Sequence, residues 1–189
     1  MRMNQKVVIG LVGMPGAGKA VLRGAAESMS LSVVIMGDEI RDEAKRRGLE
    51  PTPENIGRIM LILREEEGPT AVARRCIPKI EEARSDIVFV DGVRSLEEVD
   101  EFKRRFANVS LVAVHSSSEA RFQRLSKRNR SDDPKGWDVF YQRDLRELSV
   151  GQGDVIALAD YMIVNEGSYD EFKARIDEVL QAVIEKWRK

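Results

Sequence analysis

Apolar residues gather into five short runs, at residues 7–12, 32–36, 87–90, 109–114 and 161–164, rich in Val and Ile and apolar at consecutive positions. A strand apolar on both faces is covered on both faces, as in a parallel sheet held between helices. Between the runs the pattern switches to a helical period with helix-start signals. Ser95-Leu96-Glu97-Glu98, Ser116-Ser117-Ser118-Glu119 and Ser168-Tyr169-Asp170-Glu171 each place a glutamate three residues after a serine, the capping-box arrangement. The last opens a helix with Phe172, Ile176, Leu180, Val183 and Trp187 on one side, a stripe for core packing. This alternation predicts an α/β fold, a doubly wound sheet of five parallel strands.

Two segments exceed what a simple crossover needs. Residues 37–85 read as three helices, with breaks at Gly48-Leu49-Glu50-Pro51 and Gly68-Pro69. Residues 129–150 contain Asp132-Asp133-Pro134-Lys135-Gly136, a turn-rich stretch. Insertions of this kind commonly lie over the carboxyl ends of the strands, where α/β proteins bind ligands. The expected organisation is one domain over 1–189, with a helical insertion at 37–85 and a short lid at 129–150.

Composition narrows the function. The 189 residues carry 31 Lys and Arg against 32 Asp and Glu, a net charge of -1, which argues against a dedicated duplex-DNA binder. One cysteine (Cys76) and one histidine (His115) exclude a disulfide framework, Cys-based zinc and multi-His metal sites. No apolar run approaches the roughly 18 residues of a membrane span, and the polar residues 1–5 do not read as a signal peptide. The expectation is a cytoplasmic protein with no membrane association.

The strongest chemical signal follows the first strand. Gly13-Met14-Pro15-Gly16-Ala17-Gly18-Lys19 precedes a helical pattern, which is the Walker A order of strand, glycine-rich turn, lysine and helix. Backbone N–H groups and the helix dipole would cradle phosphates while Lys19 meets the β/γ-phosphates. The next positions are Ala20 and Val21, so the hydroxyl that ordinarily ligates Mg²⁺ is missing. Magnesium would rest on phosphates and water, with a carboxylate behind the water.

Proline in the loop and a small aliphatic residue after the lysine resemble the nucleoside monophosphate kinases, whose adenylate kinase members read Gly-x-Pro-Gly-x-Gly-Lys-Gly-Thr. Further blocks follow in that family's order. Gly37-Asp38-Glu39-Ile40-Arg41 is similar to the Gly-Asp-x-x-Arg of the acceptor segment. Asp91-Gly92-Val93-Arg94 is similar to Asp-Gly-x-Pro-Arg without its proline, and Arg130-Ser131-Asp132-Asp133 with Arg143 to the lid's Arg-x-Asp-Asp…Arg. Ala159-Asp160-Tyr161-Met162-Ile163-Val164-Asn165-Glu166-Gly167-Ser168 looks like the corresponding block of dephospho-CoA kinases. The whole chain most resembles an archaeal family of adenylate-kinase-related, dephospho-CoA-kinase-like P-loop proteins.

The resemblance implies a three-layer P-loop kinase fold with strand order 2-3-1-4-5, ATP and Mg²⁺ as cofactors, and a small nucleotide-like phosphoryl acceptor. It places residues 13–21, Arg124, Asn165 and Gly167 at the nucleotide, with Arg124 against the adenine. Lys19, Arg128, Arg130 and Arg143 would stabilise the transferring phosphoryl, with Arg146 a further candidate. Asp38, Arg41, Asp91, Gly92 and Arg94 would meet the acceptor, and Asp91 would hold magnesium through water. For a monophosphate acceptor Arg41 and Arg94 grip the phosphate. For a hydroxyl acceptor, as in dephospho-CoA kinases, Asp38 is the general base. Asp38 also reads as the N-cap of a helix at 39–47, and Asp91 as a strand-end turn residue. A third reading is a nucleotide-binding regulator or slow ATPase with a protein or RNA partner. Arg121 and Lys127 read as a solvated basic face, Cys76 as a small buried residue, His115 as structural, Trp137 as the anchor of the helix after the lid, and Glu65-Glu66-Glu67 as a solvated helix end.

Overall fold

A computed structural model describes residues 4–128 and 133–188. Among them, strands β1 (Asn4–Val12), β2 (Ser32–Ile35), β3 (Ile87–Asp91), β4 (Phe106–His115) and β5 (Tyr161–Val164) form one parallel sheet in the order β2-β3-β1-β4-β5. The central strand β1 pairs along Val7↔Ile87 to Leu11↔Asp91 on one side and Val7↔Asn108 to Val12↔Ala113 on the other. The pleat sorts its apolar side chains between two cores. Val8 and Val12 join a cluster with Met36, Ile40, Leu63, Cys76 and Phe102. Val7, Ile9 and Leu11 join Leu22, Phe172, Ile176 and Leu180 on the opposite face. Burial on both faces is why these strands read as continuous apolar runs rather than alternating ones.

Helices α1 (Lys19–Ser28) and α9 (Tyr169–Trp187) cover one face. On the other lie α2 (Met36–Arg46), α3 (Pro53–Glu67), α4 (Ala71–Glu82) and α5 (Leu96–Arg105). The first three of these are the expected insertion, and they break where Gly48 and Gly68 take positive φ. Ion pairs lace them together: Glu43 accepts from Arg47 Nε at 2.7 Å and Arg75 Nη1 at 3.0 Å. Glu66 pairs with Arg47 at 2.6 Å and Glu67 with Arg75, so the glutamate run is the expected solvated helix end, with two of its exposed carboxylates also joined to this lattice. Helices α6 (Ser118–Arg128), α7 (Trp137–Ser149) and the short α8 (Gln152–Ala157) complete the chain.

Several boundaries differ from the sequence reading. Met36 begins α2 rather than ending β2; its fully buried side chain suits either element. The N-cap position is therefore Ile35, and Asp38 lies inside the first turn, where its charge favours the helix dipole but its side chain caps nothing. Ser168 and Glu171 make the full capping box. Ser95 Oγ accepts from Glu98 N, yet the Glu98 carboxylate turns to Arg94 N at 2.8 Å. Ser116 does not cap α6: its Oγ donates to Asn165 O at 2.7 Å, and Ser117 Oγ accepts from Ala120 N. Helix α8 has no counterpart in the sequence reading.

Candidate functional site

The phosphate loop connects β1 to α1 at the carboxyl edge of the sheet. Gly13 has φ 146° and Gly18 φ 117°, values that L side chains rarely adopt. Space forbids a side chain as well: a Cβ on Gly13 would lie 2.4 Å from Val114 O, and one on Gly18 2.5 Å from Asn165 Nδ2. Three alternate carbonyls of the loop accept from side chains of the C-terminal half. Gln152 Nε2 donates to Gly13 O at 2.9 Å, Arg121 Nη1 to Pro15 O at 3.2 Å and Asn165 Nδ2 to Ala17 O at 2.8 Å. A loop whose carbonyl oxygens are engaged by the protein offers an anion its remaining polar groups, the N–H donors.

Lys19 opens α1, and its Nζ donates to Gly13 O and, at 3.4 Å, to Met14 O. Burial brings its pKa down from 10.5 to about 8; the Asp91 and Glu147 carboxylates oppose the shift, while Arg94 and Arg143 add to it. Five charged groups from the loop, the end of β3 and α7 thus share one electrostatic neighbourhood. Burial opposes ionisation of Glu147, and the Arg94 guanidinium overrides it, so this carboxyl lies below the usual range.

The expected acceptor residues are present but engaged. Arg94 Nε donates to Glu147 Oε2 at 2.7 Å and its Nη1 to Gly92 O at 3.3 Å. Behind it, the wholly buried Glu98 accepts from Arg64 Nη2 of α3 at 2.5 Å. Arg41 donates to Asp38 at 2.6 Å, both half exposed. Asp91, buried at the end of β3, accepts from Arg23 Nη1 at 3.1 Å. Arg146 of α7 lies over α3, its Nη1 2.9 Å from where a Cβ on Gly57 would stand. Lid helix and insertion therefore face each other beside the phosphate loop.

On the nucleotide side, Arg124 donates to Ser116 Oγ at 2.6 Å and to Asn165 O at 2.7 Å. It thereby ties α6 to the turn after β5, where Gly167 precedes the capping box of α9. Arg128 pairs with Asp133, its Nε 3.0 Å from Oδ2. Arg130 falls outside the described residues. The magnesium expectation meets a poor donor set. Ala20 and Val21 offer no oxygen, and Asp91 is ion-paired with Arg23. Among the described residues no group of three or more His, Cys, Asp or Glu gathers to hold a metal.

Arg121 overturns its reading as a solvated charge. It is 4% exposed, forks onto both Asp144 oxygens at 2.9 and 2.5 Å, and lies 4.9 Å from the Phe140 ring centroid. The signal was Leu125, four residues on and therefore on the same helix face. Gln152, Glu147 and Arg23 were missed, and nothing local in the sequence marks them. Trp137 packs against Phe122 and Phe140, with centroids 5.3 and 5.2 Å away. Cys76 is buried, which pushes its thiol pKa well up, and His115 is an exposed strand end.

The family described as an AAA domain matches residues 12–140, which makes the loop part of a P-loop nucleotide-binding domain. A UPF0200 protein of Hyperthermus butylicus is 52% identical over 175 residues, 93% of this chain and 94% of its own. One from Pyrococcus horikoshii is 45% identical over 96% of this chain and all of its own. The fold is that of shikimate kinases. The Acinetobacter baumannii enzyme, solved in complex with shikimate, gives a TM-score of 0.59 at 20% identity over 98% of this chain and 97% of its own. The Bacteroides thetaiotaomicron shikimate kinase gives 0.61 at 17%, over 93% and 98%. No helix among the described residues is long and apolar enough to cross a membrane. The chain belongs to the UPF0200 family.

Proposed function

We propose that this UPF0200 protein is an ATP-dependent phosphotransferase that passes the γ-phosphoryl group to a small nucleotide-like acceptor held against α2–α4. The observation that carries the reading is the shared neighbourhood of Lys19, Asp91, Arg94, Arg143 and Glu147, where loop, β3 and α7 meet. Phosphoryl transfer asks for positioning and charge stabilisation rather than covalent help, and this neighbourhood supplies fixed cations. The shikimate-kinase-like fold supports a small-molecule kinase, and the Gly37–Arg41 and Asp91–Arg94 blocks support an acceptor of the nucleoside monophosphate type.

In the reaction the acceptor oxygen bonds to the γ-phosphorus as the bond to the β,γ-bridging oxygen breaks and ADP leaves. Lys19 would shift from the Gly13 and Met14 carbonyls to the β/γ oxygens. Arg143 would face the γ-phosphoryl, Arg128 would close from α6, and Arg124 would lie against the base. A monophosphate acceptor would draw Arg41 and Arg94 from their carboxylates. Magnesium would come on the phosphate oxygens of ATP with its own water. The second reading, a hydroxyl acceptor as in dephospho-CoA kinases, is favoured by Asp38: it is half exposed in the first turn of α2 and would take the hydroxyl proton.

Turnover of ATP with a panel of nucleoside monophosphates and hydroxyl acceptors, read by ADP release and product mass, tests the proposal. A phosphorylated monophosphate is expected, with Lys19→Met lowering turnover about 10²–10³-fold. If no acceptor gains a phosphate, or Lys19→Met turns over like the parent, the kinase reading loses to a nucleotide-binding regulator.

A further inference from the structure

Magnesium commonly reaches a phosphate site through one or two carboxylates plus the substrate's phosphates, and it dehydrates reluctantly, so a tailored oxygen set matters. This site withholds that set in two independent ways. The residue after Lys19 is Ala20, whose methyl group offers no lone pair, and Val21 follows. The carboxylate at the end of β3 is already matched, because Arg23, one helical turn after Lys19, donates to Asp91 Oδ2 at 3.1 Å. The other carboxylate whose field reaches Lys19 is Glu147, and it is held by Arg94 at 2.7 Å. Each acidic group beside the phosphate lysine thus has its own guanidinium.

Resting on the nucleotide-binding reading above, we infer that Arg23 stands in the place of a protein-held magnesium ion opposite Asp91, so that this loop binds ATP almost independently of the metal. A guanidinium and a dication compete for one carboxylate, since like charges repel at contact distance. Arg23 has the advantage of being tethered: α1 delivers it, and Glu27, one turn on, lies 3.9 Å from its Nε. Asp91 in turn orients Arg23 and opposes the loss of charge on Lys19. The phosphates of ATP then meet cations that belong to the protein, Lys19 first among them, instead of cations imported from solution.

Calorimetric titration of the full-length protein with ATP, in excess MgCl₂ and separately in EDTA, tests this. The parent's two dissociation constants are expected to agree within about threefold, under 1 kcal/mol. Arg23→Gln releases Asp91 and removes a cation, so its affinity in EDTA should fall about tenfold and magnesium should restore it. Arg23→Lys keeps the charge and should behave like the parent, which separates a charge effect from damage to the helix; circular dichroism melts of both variants check folding. A parent that loses tenfold or more in EDTA overturns the inference, as does an Arg23→Gln protein with the parent's ratio. Failure of the parent to bind ATP under either condition overturns the nucleotide reading itself and this inference with it.

Discussion

The phosphate loop and the segments proposed to meet an acceptor are held largely by different kinds of bond. On the nucleotide side, backbone carbonyls of residues 13, 15 and 17 accept from Gln152, Arg121 and Asn165, and the glycines hold the path by conformation. In the segments proposed to meet an acceptor, the main ties run between side chains: Arg41 to Asp38, Arg94 to Glu147, Arg64 to Glu98. A backbone cradle has one shape and offers every phosphate the same donors. An ion pair can exchange its internal partner for a ligand, so on the proposed reading these are the pairs an acceptor would open. On the proposed reading, a rigid frame for the nucleotide would thus sit beside an exchangeable one for the acceptor.

The comparison breaks most visibly at Glu98. Its carboxylate is wholly buried against Arg64, and removing one partner of a buried pair strands the other, at a cost of about 3–5 kcal/mol. Glu98→Gln should therefore lower the thermal midpoint by roughly 6–20 °C for a chain of this size. A melt within 2 °C of the parent would mean that water reaches Arg64.

Gly13→Ala attacks the other side. The added methyl meets Val114 O in a left-handed conformation, and we expect about 1–3 kcal/mol of strain together with loss of ATP binding in titration. Retained ATP binding would show that the added methyl can move clear of the Val114 carbonyl of β4.

Charge on Lys19 sharpens the contrast through pH. With its pKa brought to about 8, the free protein loses the lysine's charge as pH rises past 8, so ATP affinity should weaken above that point. Glu147 opposes the depression of this pKa, and Glu147→Gln should move the bend to lower pH. Stability runs the opposite way. Between about 8 and 10.5 the unfolded chain holds the proton longer than the folded one, so this group's contribution to stability rises with pH. Comparison with Lys19→Met isolates that contribution: the melting temperature of the parent should rise relative to that of the variant across the window.

A pair of variants discriminates between acceptors. For a monophosphate, Arg41→Met should raise the acceptor KM while Asp38→Asn costs little. For a hydroxyl acceptor, Asp38→Asn should lower kcat by roughly 10²–10⁴-fold. Steady-state kinetics on the two variants reads the difference.

What could be read from the sequence follows the same division. The phosphate loop is a local signal, seven consecutive residues between a strand and a helix, and its glycines are there for backbone reasons. The three insertion helices announced themselves through Gly48, Pro51, Gly68 and Pro69. The ion pairs did not, because topology chooses their partners: 68 residues separate Arg23 from Asp91 and 53 separate Arg94 from Glu147. A buried arginine and a solvated one look alike in a charge-rich helix, and only Leu125 hinted at the fate of Arg121. Met36 was misplaced because the chain passes from β2 to α2 without a turn.

The tethers on the phosphate loop also bear on how the protein is made. Gln152 reaches back 139 residues to Gly13, and Asn165 reaches back 148 to Ala17. The loop leaves the ribosome well before its supports, and it cannot acquire them until residues 152 and 165 have emerged. Its central strand waits as well, since its neighbours begin at Ile87 and Phe106. A chain terminated before Gln152 therefore carries the whole glycine motif without these two tethers.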